Sequence, residues 1–139
     1  MPTAWNPPAP GQRESWTKTV TAEDVALYAR ITGDENPLHF DEEFAKGTRF
    51  GRLVAQGGIT SGMLNALVAM DLPGPGTVFM SQSLRYLAPT YLGDTLTAEI
   101  EVLAVKPDKP VCQLKATITN QDGTVVLEGE CWTYTLRPK

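Results

Sequence analysis

The stretch from Leu53 to Leu72 constrains the fold of this chain most strongly, because it offers almost no polar face. A helix that is apolar nearly all round has to be buried, so we predict a long helix at the centre of the molecule. Gly57 and Gly58 lie near its start. Glycine lowers helix propensity but lets the backbone approach a ligand closely. Close packing of the helix on a sheet explains the same two glycines without a ligand.

Beyond residue 76 the hydrophobic period changes to two, which is typical of β-strands. The pattern predicts four strands, over residues 78–87, 95–104, 111–119 and 124–136. Asp122-Gly123 favours a two-residue hairpin turn. The resulting register places three pairs on one apolar face, namely Ile118 opposite Leu127, Ala116 opposite Gly129 and Leu114 opposite Cys131.

An amphipathic helix is predicted upstream of the buried one. Thr21 followed by Asp24 is a capping pattern. The apolar face of this helix is predicted to hold Val25, Leu27, Tyr28 and Ile31, and a shorter helix is predicted over residues 41–46. Helices followed by antiparallel strands indicate an α+β protein, in which one buried helix packs against a four- or five-stranded sheet.

Length and charge limit the class of protein. The 139 residues suit a single domain, which we place at residues 15–139 after a flexible arm at residues 1–14. A formal net charge of −4 argues against a nucleic-acid binder. The arm resembles neither a secretory signal nor a membrane span, so we expect a cytoplasmic protein. The domain is small for enclosing a large substrate, which favours an oligomer.

The cysteine and histidine content predicts neither a disulfide nor a metal site. Cys112 and Cys131 lie in apolar alternations, and the predicted register sets them diagonally rather than opposite. Packed free thiols are therefore expected. With one histidine and no Cys-x-x-Cys spacing, no metal ligand set is predicted.

Asp34 and the only histidine, His39, flank a rigid Asn36-Pro37 step. Proline moves the preceding residue out of the α region, so the chain turns here and both side chains can face a common point. A carboxylate and an imidazole that share one water can carry out general acid–base catalysis. Ordinary turn chemistry is the alternative, because Gly33 can end a helix while Asp34 and Asn36 favour Asx turns.

The segment from Tyr28 to His39, followed by Phe40-Asp41 and Phe44-Ala45, resembles the signature of the MaoC-like (R)-specific enoyl-CoA hydratases. The similarity covers about residues 15–135 and continues in order through Val54–Gly57, Leu72–Gly74, Gln82–Leu84 and Gly93-Asp94. It implies a hotdog fold, which is an antiparallel sheet wrapped around a long central helix. It also implies a homodimer or larger assembly that acts without metal or redox cofactor.

The resemblance assigns the reacting groups. Asp34 is the principal base toward the water, and His39 is its partner in holding the water and moving the proton. Asn36 and Pro37 support the motif. Which of the two side chains protonates C2 of the substrate is left open, because a coupled pair can titrate as a unit.

A developing enolate oxyanion needs hydrogen-bond donors, and free N–H groups at a helix N-terminus supply them. The resemblance places the donor at Gly57, with Gly58 as a second candidate. The chain departs from the family here, since relatives often carry His-Gly where this chain has Gln56-Gly57.

The family's acyl-pocket floor corresponds to Asn65 and Val68. An amide buried against methylenes costs about 1–3 kcal/mol, so we expect short acyl chains or an acyl group with a polar end. Asn65 facing solvent or a subunit contact is the alternative. Coenzyme A phosphates call for nearby cations, of which Arg85 is the first candidate, followed by Arg49, Arg52, Lys106 and Lys109. The alternative for each is an ordinary solvated surface charge, which is the usual role of such residues.

These inferences predict an (R)-specific enoyl-CoA hydratase, a hydro-lyase of fatty acid metabolism that reversibly adds water syn to trans-2-enoyl-CoA. The nearest alternative is a 3-hydroxyacyl-thioester dehydratase that acts on acyl carrier protein or on a specialised acyl-CoA. A hotdog thioesterase and a non-catalytic acyl-CoA-binding protein are further alternatives.

Overall fold

The computed structural model describes residues 5–138. Five antiparallel strands form one sheet in the order β1-β3-β4-β5-β2. The strands are β1 (Arg13–Thr19), β2 (Thr77–Tyr86), β3 (Thr95–Val105), β4 (Val111–Thr119) and β5 (Val125–Thr135). The helices are α1 (Ala22–Thr32), α2 (Pro37–Phe40), α3 (Glu42–Lys46) and α4 (Gly57–Met70). The predicted α+β class and the four downstream strands are confirmed.

The predicted register of the last hairpin is also confirmed. Leu114 pairs with Cys131, Ala116 with Gly129 and Ile118 with Leu127. The prediction of a two-residue turn was wrong, however. The N–H of Asn120 donates to the carbonyl of Thr124, which leaves a three-residue loop, and Gly123 adopts a φ of 79°. A register shift beyond Ile118 absorbs the extra residue.

The apolar segment is a helix only from Gly57, because the residues before it are extended and Val54 forms a bridge with Tyr91. One face of α4 packs into the core through Thr60, Met63, Leu64, Leu67 and Val68. Its opposite face is open, and Met70 is 69% exposed. The prediction of a helix buried all round was therefore wrong for a single protomer, since one sheet covers one side of a helix.

The first strand was not predicted. Its sequence is polar along most of its length, as suits an edge strand, and only Trp16 anchors it inward, through a bond from its Nε1 to the carbonyl of Met63 at 3.0 Å. The predicted arm reached residue 14, whereas β1 begins at Arg13. Before it, the N–H of Gly11 donates to the carbonyl of Val102. Residues 1–4 of the predicted arm lie outside the described residues.

The first helix begins as predicted. Thr21 accepts from the N–H of Asp24, and the Asp24 carboxylate accepts from the N–H of Thr21, so the capping box is confirmed. The predicted apolar face was only partly right. Val25 is buried, but Ile31 is 84% exposed and Leu27 is 47% exposed. A single narrow face of α1 therefore holds it against the body of the protein.

The core contains both cysteines as free thiols, as predicted. Burial, together with the nearby Glu130 carboxylate, raises the pKa of Cys131 to about 11. Burial also raises the pKa of the Cys112 thiol. Both thiols stay protonated at neutral pH and act as small apolar core residues. Within residues 5–138, no helix is long and apolar enough to span a membrane.

Candidate active site

The turn between α1 and α2 positions Asp34. Gly33 ends α1 in the left-handed region with a φ of 83°, where glycine carries no steric penalty. The Thr32 hydroxyl accepts the N–H of Asp34 at 3.2 Å, and Asp34 Oδ1 accepts the N–H of Asn36 at 3.2 Å. Turn chemistry therefore uses one carboxylate oxygen of Asp34, and the other remains free.

Asn36 and Pro37 then begin a new helix immediately. Asn36 Oδ1 accepts the N–H of Leu38 at 3.1 Å, and Pro37 occupies the first helical turn, where its missing N–H costs nothing. The result is the one-turn helix α2, which places His39 beside Val54. The sequence pattern indicated a turn here but not this helix.

His39 is 8% exposed and is held by the backbone. Its Nδ1 lies 2.7 Å from the carbonyl oxygen of Val54. A carbonyl only accepts, so Nδ1 carries the proton and Nε2 of the neutral ring keeps its lone pair. Val54 was missed by the sequence analysis, because a tertiary contact to a main-chain oxygen leaves no pattern in the side chains.

The free Nε2 of His39 faces the free carboxylate oxygen of Asp34. The distance from Nε2 to Oδ2 is 3.7 Å, too long for a direct hydrogen bond. One water can lie within hydrogen-bond distance of both atoms at this separation. The Asp34 side chain is 41% exposed and that of His39 is 9% exposed. Solvent can therefore reach the carboxylate of the pair, whereas the imidazole is buried.

The N-terminus of α4 lies on the same side of the protein. Gly57 and Gly58 are its first two residues, so their N–H groups have no intrahelical acceptor. The two glycines have different surroundings. A Cβ on Gly57 would lie 2.8 Å from a ring carbon of Tyr86, and one on Gly58 would overlap the Tyr28 hydroxyl. Each glycine thus leaves room for an aromatic side chain.

A cavity of about 340 Å³ connects His39 with the start of α4. His39 and Gly57 both line it, Thr60 and Tyr86 form part of its wall, and Asp34 lies outside the lining. The remaining lining residues are Leu38, Arg49, Phe50, Val54, Ala55, Leu87, Ala88, Pro89, Thr90 and Val126. The structure therefore brings His39 and Gly57 to one space. Thr60 and Tyr86 had no distinguishing sequence signal.

The predicted acyl-pocket residues do not reach this cavity within one protomer. Asn65 is exposed on the outward face of α4, and Val68 is 2% exposed in the hydrophobic core. Placing Val68 in a pocket floor conflicts with its inward direction here.

The predicted coenzyme A contacts also separate. Arg49 lines the cavity and lies 5.6 Å from the ring centroid of Phe50. Arg85, the first candidate, does not line it and pairs with Glu128 at 2.7 Å. Arg52 stacks on the ring of Tyr91, with its Cζ 3.9 Å from the ring centroid. The geometry therefore favours Arg49 over both of the others.

Residues 5–138 contain no group of three or more histidine, cysteine, aspartate or glutamate side chains arranged to hold a metal ion.

A family described as MaoC like domain matches residues 6–126. The (R)-specific enoyl-CoA hydratase of Aeromonas caviae is 38% identical over 120 residues, which are 86% of this chain and 90% of that protein. The 3-hydroxybutyryl-CoA dehydratase of Methylorubrum extorquens is 40% identical over 120 residues, which are 86% of this chain and 76% of that protein.

The structure of the (R)-hydratase from A. caviae involved in PHA biosynthesis matches with a TM-score of 0.88 at 35% identity. The match covers 92% of this chain and 97% of that one. Similarity in sequence and in structure therefore extends over nearly the whole of both proteins.

Proposed function

Because this chain belongs to the MaoC-like domain family and has its hotdog fold, we propose that it is an (R)-specific enoyl-CoA hydratase. It adds water reversibly to trans-2-enoyl-CoA and forms (R)-3-hydroxyacyl-CoA. The observation that supports this most is the pair of Asp34 and His39, 3.7 Å apart, because His39 lines the same cavity as Gly57, the first residue of α4.

In the proposed reaction, one water molecule supplies both the hydroxyl and the hydrogen that are added. Asp34 Oδ2 and His39 Nε2 hold it, and Asp34 takes a proton as the oxygen attacks C3. The electrons of the double bond move onto the thioester carbonyl, where the N–H of Gly57 at the start of α4 stabilises the enolate. A proton then returns to C2 from the same pair. Hydroxyl and hydrogen arrive on one face, so the addition is syn.

The test is an assay on crotonyl-CoA that follows the enoyl absorbance and free thiol together. Loss of the double bond with the thioester intact supports hydration. Release of thiol from a saturated acyl-CoA would instead indicate a thioesterase, because that reaction attacks the carbonyl. Crotonyl-CoA and crotonyl acyl carrier protein, compared at equal concentration, separate the hydratase from a carrier-protein dehydratase. We expect the coenzyme A thioester to be preferred.

The coenzyme A end of the substrate is proposed to contact Arg49, the arginine that lines the cavity. Coenzyme A is part of the substrate, and the proposed steps need no resident cofactor, since water and the enoyl thioester supply every atom of the product. The two free buried thiols fit a reducing compartment, so a cytoplasmic location is proposed. A role in fatty acid metabolism is proposed from the acyl-CoA substrate.

A homodimer formed through β2 is proposed. This strand lies at one edge of the sheet, where its outward backbone groups have no strand partner within residues 5–138. Two of its apolar side chains, Val78 and Met80, are 48% and 59% exposed. The opposite edge, β1, is instead polar. Edge pairing of two β2 strands would continue the sheet across a twofold axis.

We expect Met80→Lys to convert the dimer to monomers, because a lysine on an edge strand opposes pairing with another strand. Light scattering after size-exclusion chromatography measures the mass. Leu103→Lys is the matched control, since Leu103 is also an exposed apolar residue at a strand irregularity, in β3, but lies away from the β2 edge. A Met80→Lys protein that stays dimeric would exclude this edge.

The acyl-pocket role of Asn65 remains a proposal that depends on a partner covering the outward face of α4. We expect Asn65→Ala to shift preference toward longer chains, because it removes an amide that resists methylenes. Rates with crotonyl-CoA and 2-octenoyl-CoA measure the shift. Asn65 is exposed in the protomer, so the substitution should leave its folding unchanged. An unchanged ratio of the two rates would remove Asn65 from the pocket.

A further inference from the structure

Gln56 is one of three residues among residues 5–138 that have a buried side-chain polar atom without a hydrogen-bond partner. It is 1% exposed and immediately precedes α4. Its Nε2 donates to the carbonyl of Val25 at 3.0 Å, whereas its Oε1 is buried with no hydrogen-bond partner among the described residues. Nor does the side chain cap α4. A buried acceptor without a donor is unfavourable, so stability alone does not explain an amide here.

The hydrogen bond from Gln56 connects two elements of the site. Val25 lies in α1, the helix that ends at Gly33 and leads directly into Asp34. The carbonyl oxygen of Val25 lies inside a helix, where it already accepts a backbone N–H from the next turn. The bond from Gln56 is therefore additional to the folding of α1, and what it fixes is the position of α1 relative to α4.

The neighbours of Gln56 hold the rest of the site. Two residues before it, the carbonyl of Val54 holds His39. One residue after it, Gly57 opens α4 and lines the cavity. The N–H of Ala55 donates to the carbonyl of Thr90 at 2.7 Å, which anchors this strip to the body of the protein. Residues 54–57 thus contact His39 directly, and through Gln56 they contact α1, the helix that leads to Asp34.

We propose that Gln56 is a positioning residue that sets Asp34 relative to His39 and the start of α4. The helix that leads to Asp34 is otherwise held by the buried side chains of Val25 and Ala29 and, at its first turn, by the ion pair between Lys18 and Asp24. Its last turn is exposed on the outer side, where Ile31 is 84% exposed. Its other contact with the start of α4 is the Tyr28 hydroxyl, which occupies the space beside Gly58. Without the Gln56 bond, α1 can shift, and with it the carboxylate that takes the proton from water.

The test rests on the proposed function and uses Gln56→Met, which keeps the length of the side chain and removes both polar atoms. We expect kcat to fall roughly ten- to hundredfold, because a misplacement of about 1 Å is enough for such a loss. KM should stay within a factor of about three, since Gln56 is not expected to touch substrate. The melting temperature should change little, because the lost hydrogen bond is offset by removal of an unpaired acceptor.

Two further variants make the result specific. Gln56→His can still donate an N–H to the Val25 carbonyl, so it should recover most of kcat. Thr133→Val is the matched control, since the Thr133 hydroxyl is also buried and unpartnered but lies on β5 outside the cavity lining. It should leave kcat unchanged. If Gln56→Met folds poorly, Gln56→Asn also breaks the bond, with a side chain that stays polar, and the same loss of kcat is expected.

The outcomes separate the two proposals. If the unmodified protein does not hydrate crotonyl-CoA, the proposed function fails, and the role of Gln56 fails with it. If the unmodified protein is active and Gln56→Met retains its kcat, the positioning role alone is overturned. A fall in melting temperature without a fall in kcat would likewise make Gln56 a purely structural residue, as would an equal loss of kcat in Thr133→Val.

Discussion

Asp34→Asn is expected to lower kcat for crotonyl-CoA hydration by a factor of about 10² to 10⁴, the usual contribution of a positioned acid–base group. Asparagine keeps an oxygen that can accept the N–H of Asn36, so the turn after α1 should survive the change. What it loses is the basicity of Oδ2, the oxygen that faces His39. Because the substitution removes a group used in the transition state, KM should change little.

Asp41→Asn is the matched control for this variant. Asp41 lies seven residues further along and caps α3 by accepting the N–H of Phe44. Asparagine is an equally good N-cap, so this variant should keep both its stability and its kcat. Steady-state kinetics on the two proteins side by side makes the comparison. An Asp34→Asn enzyme with near-normal turnover would refute the role of Asp34 as base.

His39→Asn is expected to cause a loss of similar size, about 10² to 10⁴ in kcat. The amide nitrogen of asparagine can take the place of Nδ1 and donate to the carbonyl of Val54, which avoids leaving that buried oxygen unpaired. Nothing replaces Nε2, the atom that faces Asp34. The variant therefore separates the catalytic contribution of the ring from its structural contact.

The double variant Asp34→Asn/His39→Asn gives a second readout. If the two side chains hold one water, removing either already destroys the arrangement, and the double variant should be little slower than the slower single one. Additive losses would mean that the two residues act independently. A melting curve for each protein verifies that the fold is kept, and a His39→Asn protein with normal kcat would remove His39 from the reaction.

Most of the fold could be predicted from the sequence, because the capping and turn residues agreed with the hydrophobic period. The register from Leu114 to Ile118 was predicted from a two-residue turn that agreed with the alternation. It held although the turn at Gly123 is one residue longer, because a register shift beyond Ile118 absorbs the extra residue. The failures occurred where tertiary contacts decide. A polar edge strand such as β1 has no period to detect, and the outward face of α4 is apolar without being covered in one protomer.

The candidate site shows the same division. The spacing of Asp34 and His39 predicted that they could converge, and their side chains do face each other. The pattern did not indicate how they are held there. The carbonyl of Val54 contacts His39, and the buried amide of Gln56 contacts Val25. Both contacts join residues far apart in the sequence, and neither residue type predicts such a contact. Arg85 ranked above Arg49 for lack of any spatial information, which the cavity lining supplied.

The central claim is that one carboxylate and one imidazole deliver hydroxyl and hydrogen from a single water to the same face of the enoyl thioester. Hydration of crotonyl-CoA in D2O, followed by NMR and chiral analysis of the product, tests it most directly. The account predicts (R)-3-hydroxybutyryl-CoA with one deuterium at C2, syn to the hydroxyl. An (S) product, an anti addition, or free coenzyme A with the double bond intact would contradict it.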